Sequence, residues 1–209
     1  MINLKEEIIT CLQDWRNTNN KEQNLQGWLY AYFLKYRSEG YVIEMETNIR
    51  QDEHLGWLFK NKDVDRNNFC KSEVDLFIYN ESQKEAYAVE LKWIYHRDTG
   101  WNVVDHLPAY ECDAQFCNQL LSHHICSDVC SLVVYDFNPE KQVKNPRFSK
   151  DGCKKEDFLG GKYTDEKGNR RQPTAGRICG IPFKWLPLYD DYCYYIIDGK
   201  DMSRLQQKL

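Results

Sequence analysis

The sequence contains no apolar run approaching the roughly 18 to 20 residues that a membrane-spanning helix needs, so no spanning segment is expected. Its first residues, Met1-Ile2-Asn3-Leu4-Lys5-Glu6-Glu7, show no basic stretch followed by a hydrophobic one. Such a start reads as intracellular, and a cytoplasmic protein is the expectation. There is no CxxC pair, and the cysteine count, nine, is odd. Without a secretion signal these cysteines read as mostly reduced thiols rather than a disulfide framework. Cys117, His123, His124, Cys126 and Cys130 do mix soft sulfur with imidazole. Most of them fall on one predicted helix, however, so zinc is the lesser reading of that cluster. Positive charge is not in excess either: Lys and Arg number 28 against 32 Asp and Glu, a net charge of -4. Any argument for an anionic partner must therefore come from local patches. Internal repeats and low-complexity tracts are absent as well.

What the chain does have is a large apolar content. Hydrophobic residues make up 42%, with 6 Trp, 14 Tyr and 9 Phe, which excludes intrinsic disorder. A length of 209 residues suits a single domain. Residues 3–16 place Leu4, Ile8, Cys11, Leu12 and Trp15 at helical spacing. A second helix is expected over 21–38, with Leu25, Trp28, Leu29, Tyr32, Phe33 and Tyr36 on one broad face and Gly40 as its stop. Residues 41–48 then alternate as a strand, with Glu44 and Glu46 on its solvent side. The polar stretch 50–70, interrupted by Leu55-Gly56-Trp57-Leu58-Phe59, receives no assignment. Strands follow at 73–79 and 86–95, joined by a short polar turn over 80–85 that suits a hairpin. Residues 108–124 read as a helix, with Pro108 at its start and Cys117, Leu120, Leu121 and His124 along one side. The nearly continuous apolar run 130–137 reads as a central strand.

From 138 to 180 the composition turns to Lys, Arg, Gly, Asn and Pro, with eleven Lys and Arg. The aromatic segment 181–198 returns to strand character, interrupted at Pro187 and turning near Asp190-Asp191. The order α α β β β α β, basic loop, β β describes an α/β fold with a central mixed sheet flanked by helices.

Chemistry-bearing residues stand out where polar side chains interrupt apolar strands. Glu90 and Lys92 project to one face of their strand while Val89, Leu91 and Trp93 project to the other. The hairpin brings Asp75 onto the neighbouring strand, so two carboxylates and one ammonium come within reach of a common point. Two carboxylates supplemented by water and phosphate oxygens suit Mg²⁺, which dehydrates reluctantly, with Mn²⁺ as its substitute. Lys92 would face the attacking water or the developing phosphorane charge, and the chemistry expected is phosphodiester hydrolysis.

In Val74-Asp75 and Glu90-Leu91-Lys92 the sequence resembles the PD-(D/E)xK nuclease superfamily, the restriction-endonuclease-like fold. The resemblance spans the core from about residue 21 to 137 in element order and leaves out the basic loop region and the C-terminal strands. It implies Asp75 and Glu90 as metal ligands and Lys92 as the catalytic lysine. Members often add an acid from the helix before the sheet, for which Glu22 is the candidate. Some carry a Gln on the helix after the motif, where Gln119 fits and Gln115 and Asp113 fit less well. Val74 stands where the family's name has proline. The resemblance also implies DNA as substrate and allows a homodimer.

Bland readings stand beside these. A Glu-x-Lys pair often only solvates a strand face, Glu22 is also a favoured first-turn acid, and Gln119 serves equally well as a surface amide. His96, Arg97, Asp98, Asp105 and His106 could border the site or simply be solvated loop residues. The basic region, with Lys154, Lys155, Arg170 and Arg171, is a candidate DNA-contact surface or an ordinary solvated loop. Three functions follow: a metal-dependent endonuclease, a nucleic-acid-binding module of the same fold without turnover, or a structural, partner-binding protein.

Overall fold

A computed structural model of the chain describes residues 1–16, 22–94, 103–136, 175–189 and 192–206. The first helix, α1 (Leu4–Asp14), buries Leu4, Ile8, Cys11 and Leu12 along one stripe, as their spacing requires. The second, α2 (Glu22–Phe33), buries Leu25, Leu29 and Phe33. It then tightens into a 3-10 segment over Leu34–Glu39, closed by Gly40 at φ 85°. The single helix expected over 21–38 is thus two helical forms in series. Its buried stripe is also narrower than expected, because Trp28 stays 44% exposed and reaches sideways, its indole N–H donating to the Cys11 carbonyl at 3.2 Å.

Strand β1 (Val42–Asn48) is followed by a connection containing two short 3-10 turns and the one-turn helix α3 (Gly56–Phe59). This is the stretch that has no sequence assignment: Leu55, Leu58, Phe59 and Phe69 turn inward from it as isolated anchors without a period. Strands β2 (Glu73–Asn80) and β3 (Glu85–Ile94) form the expected hairpin. Helix α4 (Val103–Ser122) crosses over to β4 (Asp128–Asp136), which pairs in parallel with β3. Pro108 lies inside α4 rather than at its start. Strands β5 (Ala175–Ile178) and β6 (Ile181–Lys184) pair with each other. The expected basic loop therefore ends in a strand rather than at residue 180. Short β7 (Leu186–Pro187), then β8 (Tyr192–Asp198), and helix α5 (Gly199–Gln206), unanticipated from the sequence, complete the described chain.

The main sheet has six strands in the order β1-β2-β3-β4-β8-β7. Only the β3–β4 pairing is parallel; the others are antiparallel. Helices α1 and α2 cover one face, where Leu76, Ile78, Val89, Leu91, Leu132 and Val134 join their buried stripe. On the other face Ala86, Ala88, Val129 and Val133 meet α4, the β5–β6 hairpin and α5. There the aromatic tail packs as core: Phe183 stacks on Tyr195 with centroids 4.0 Å apart, and Trp185 meets Tyr195 edge-on. Each buried Leu, Ile or Phe contributes about 1.5–3 kcal/mol of transfer free energy, so this two-sided core is what fixes the backbone on which the polar residues stand.

Among the described residues, no helix is long and apolar enough to cross a membrane. The eight described cysteines are free thiols. Burial, opposed by Lys62, pushes the Cys126 thiol up, and burial is the leading cause that raises Cys117 and Cys130 as well. Cys117, Cys126 and Cys130 are buried and pack as small hydrophobic groups.

Candidate functional site

The β2–β3 ladder runs from Asn80–Glu85 to Leu76–Val89, and Asp75 follows immediately. Its carboxylate Oδ2 accepts the backbone N–H of Leu91 at 2.7 Å, so a side chain serves that β3 amide. The β1–β2 register is interrupted at the same level. Met45 pairs with Leu76 and Thr47 with Val74, while Glu46 between them takes a left-handed φ of 52°. The carbonyl of Asp75 is instead bonded by Gln26 of α2, whose amide donates to it at 2.7 Å and to Glu46 Oε1 at 2.6 Å. Gln26 is only 7% exposed. Glu46 is exposed and Glu44 half-buried, as a solvent side allows, and both have partners: Glu46 has Gln26, and Glu44 accepts from the Tyr79 hydroxyl at 3.3 Å.

On β3, Glu90 and Lys92 do share a face, the one covered by α4, with Asp113 of that helix above them. Glu90 is fully buried and Asp113 nearly so, at 3%. Lys71, just before β2, donates to Glu90 Oε2 and to Asp113 Oδ1, the latter at 2.7 Å. Lys92 Nζ lies 3.5 Å from Glu22 Oε1, 3.6 Å from Asp113 Oδ2 and 3.9 Å from Asp75 Oδ2, and it donates to the Leu91 carbonyl at 3.0 Å. The second oxygen of Glu22 accepts the backbone N–H of Trp93 at 2.9 Å, tying the start of α2 to the end of β3. Four carboxylates, Glu22, Asp75, Glu90 and Asp113, therefore converge with two ammonium groups.

This excess of buried negative charge shapes the protonation equilibria. Glu90 is pushed well above its ordinary value, first by burial and then by Asp75, with Lys71 pulling the other way. Glu22 is raised by burial against the pull of Lys92. Burial acts to lower Lys92, but Asp113, Asp75 and Glu22 outweigh it and hold Lys92 above the ordinary lysine value. Lys71 is raised too: burial opposes, Glu90 and Asp113 prevail. Both lysines are thus firmly cationic donors.

Two oxygens of the cluster, Glu90 Oε1 and Asp113 Oδ2, are buried without a hydrogen-bond partner among the described residues. Among the described residues, no group of three or more His, Cys, Asp or Glu side chains is disposed to hold a metal ion. The donor chemistry nevertheless suits a hard cation: carboxylates on Asp75 and Glu90, the latter with an oxygen that has no hydrogen-bond partner among the described residues.

The structure thus brings together Asp75, Glu90, Lys92 and Glu22, all singled out in the sequence. Gln119 stands apart, accepting the Cys70 N–H at 2.9 Å and reaching toward the Asn68 carbonyl at 3.5 Å. It braces the segment leading to Lys71 instead of facing the acids. Gln115 is exposed near Cys179. Asp113, the weaker candidate on α4, is the one that joins the cluster. Its signal was available: it lies four residues before the buried Cys117 and so shares the inward stripe. Lys71 was missed, and no periodicity marks it. Lys154, Lys155, Arg170 and Arg171 lie outside the described residues, as do His96, Arg97, Asp98 and the turn at Asp190-Asp191.

No family model matches the chain, and comparison with curated proteins and with solved structures likewise finds no match.

Proposed function

We propose that the protein is a metal-dependent nuclease of restriction-endonuclease-like type that hydrolyses phosphodiester bonds, with DNA as its substrate. The observation carrying this reading is the convergence of Asp75, Glu90 and Lys92 where the β2–β3 ladder ends, with Glu22 closing the group from α2. Asp75 and Glu90 would hold Mg²⁺, or Mn²⁺ in its place. When bound, such an ion acidifies a water and neutralises phosphate charge. Lys92, held cationic by its three acidic neighbours, serves as a fixed donor to a phosphate oxygen as negative charge develops there, rather than as a base. Glu22 holds the end of β3 through the Trp93 amide and so positions Lys92. Gln26 holds the Asp75 backbone and so orients its carboxylate.

The test is a plasmid-nicking assay with Mg²⁺ or Mn²⁺. Asp75→Ala, Glu90→Ala and Lys92→Ala should each lower cleavage by at least about a hundredfold, since each removes a charge contact of the reacting centre, with circular dichroism unchanged. Cleavage that persists in all three variants rejects the proposal. The ion pairs of Lys71 with Glu90 and Asp113 favour a second reading, a nucleic-acid-binding module without turnover. That module would show salt-sensitive retardation of DNA and no cleavage with any metal.

A further inference from the structure

Glu90 divides its two oxygens between different surroundings. Oε2 receives Lys71, while Oε1 is buried with no hydrogen-bond partner among the described residues. Asp113 also gives one oxygen, Oδ1, to Lys71. We infer that Lys71 supplies the counter-cation of the Glu90–Asp113 half of the cluster from within the chain, limiting the site to one divalent cation on its Asp75–Glu90 side. The inference rests on the cation reading of Asp75 and Glu90.

Paired-metal phosphodiester sites hold two ions about 3.5–4 Å apart, which takes a carboxylate shared between them and a further acid for the second ion. On the α4 side of the cluster Glu90 and Asp113 are the two acids, and the Lys71 ammonium already bridges them. Lys71 is not a surface lysine caught in passing. Its side chain is 22% exposed, its ammonium lies 5.9 Å from the centre of the Phe116 ring, and the preceding residue, Cys70, is pinned through its amide by Gln119. A second divalent ion would have to displace an ammonium bonded to two buried carboxylates. Lys92 does not take that place, because its own neighbours are Glu22, Asp75 and the other oxygen of Asp113.

The experiment is titration of the full chain with Mn²⁺, following stoichiometry by calorimetry and spin coupling by electron paramagnetic resonance. The wild type should bind one ion with an uncoupled signal. Lys71→Met and Lys71→Gln, the latter keeping donors for the two acids, should bind two ions with a coupled signal. Asp113→Asn should still bind one, since Lys71 keeps Glu90. Two ions in the wild type, one ion in both folded Lys71 variants, or none in Asp113→Asn would each overturn the inference while leaving the cation reading of Asp75 and Glu90 in place. Should the Lys71 variants not fold, the wild-type and Asp113→Asn stoichiometries decide. No Mn²⁺ bound by the wild type would remove the cation reading and this inference together.

Discussion

Glu90→Gln should stabilise the protein at neutral pH, although it removes a buried ion pair. At this point four carboxylates share two ammonium groups, and Glu90 is the one fully out of water. Its carboxyl is held well above the ordinary value of 4.5 in the folded chain. A group raised in this way binds its proton more tightly folded than unfolded. Stability is therefore greatest below the ordinary carboxyl value and declines as pH rises toward the shifted one. Glutamine keeps the shape and removes that dependence. The loss is one charged hydrogen bond from Lys71, about 1.5–3 kcal/mol. The gain is the effective cost of burying the anion, several kcal/mol per ion. Lys71 retains Asp113 at 2.7 Å and is not orphaned. The balance is a gain of about 1–2 kcal/mol near pH 8, or roughly 2 to 8 °C in Tm for a chain of this size. It should shrink toward zero as pH falls through the ordinary carboxyl range. Urea denaturation of both forms from pH 5 to 8 measures it. A variant less stable by 3–5 kcal/mol at every pH would show that the pair with Lys71 outweighs desolvation, and the reasoning would be wrong.

Gln26→Ala strips the partner from the Asp75 carbonyl and from Glu46. It should cost about 1–3 kcal/mol, and a denaturant midpoint within error of wild type would contradict that role. Gly199→Ala would put a methyl group 2.6 Å from Asp128 Oδ1 and 3.3 Å from Leu121. Since Asp128 also accepts the Gly199 amide, the side chain cannot simply swing away. A loss of about 1–3 kcal/mol in thermal unfolding is expected, and an unchanged Tm would refute the tight approach. Phe183→Ala, which leaves Tyr195 unstacked, should cost about 3–5 kcal/mol by calorimetry. A cost below about 1 kcal/mol would show that the β5–β6 hairpin contributes little to the core.

The parts of the fold legible in the sequence are those with a local pattern, a helical period or a bounded apolar run. Strands β2 and β3 were readable because runs of apolar, β-favouring residues surround Asp75, Glu90 and Lys92 and a polar turn separates them. The alternating direction of side chains along a strand put Glu90 and Lys92 on one face. The connection between β1 and β2 was not readable, since Leu55, Leu58 and Phe69 are single anchors in polar chain, buried by long-range contacts that leave no local pattern. Pro108 misled the reading of α4, because proline favours a first turn, whereas here the helix begins five residues earlier, at Val103. At the site, Gln119 matched a family position while Asp113 matched the physical one, the inward stripe through Cys117. Lys71 lies just outside the strand that positions it, and only the three-dimensional meeting of α4 with β3 gives it a purpose.

The ladder between β2 and β3 stops at the residue whose carboxylate fills the next amide's need. Zipping the hairpin further would require turning that side chain away from Leu91. Under the proposed function, backbone order and reactivity are rivals at a single position: a sequence selected only for robustness would close the seam there with a β-branched residue and, in doing so, remove the carboxylate that the proposal needs.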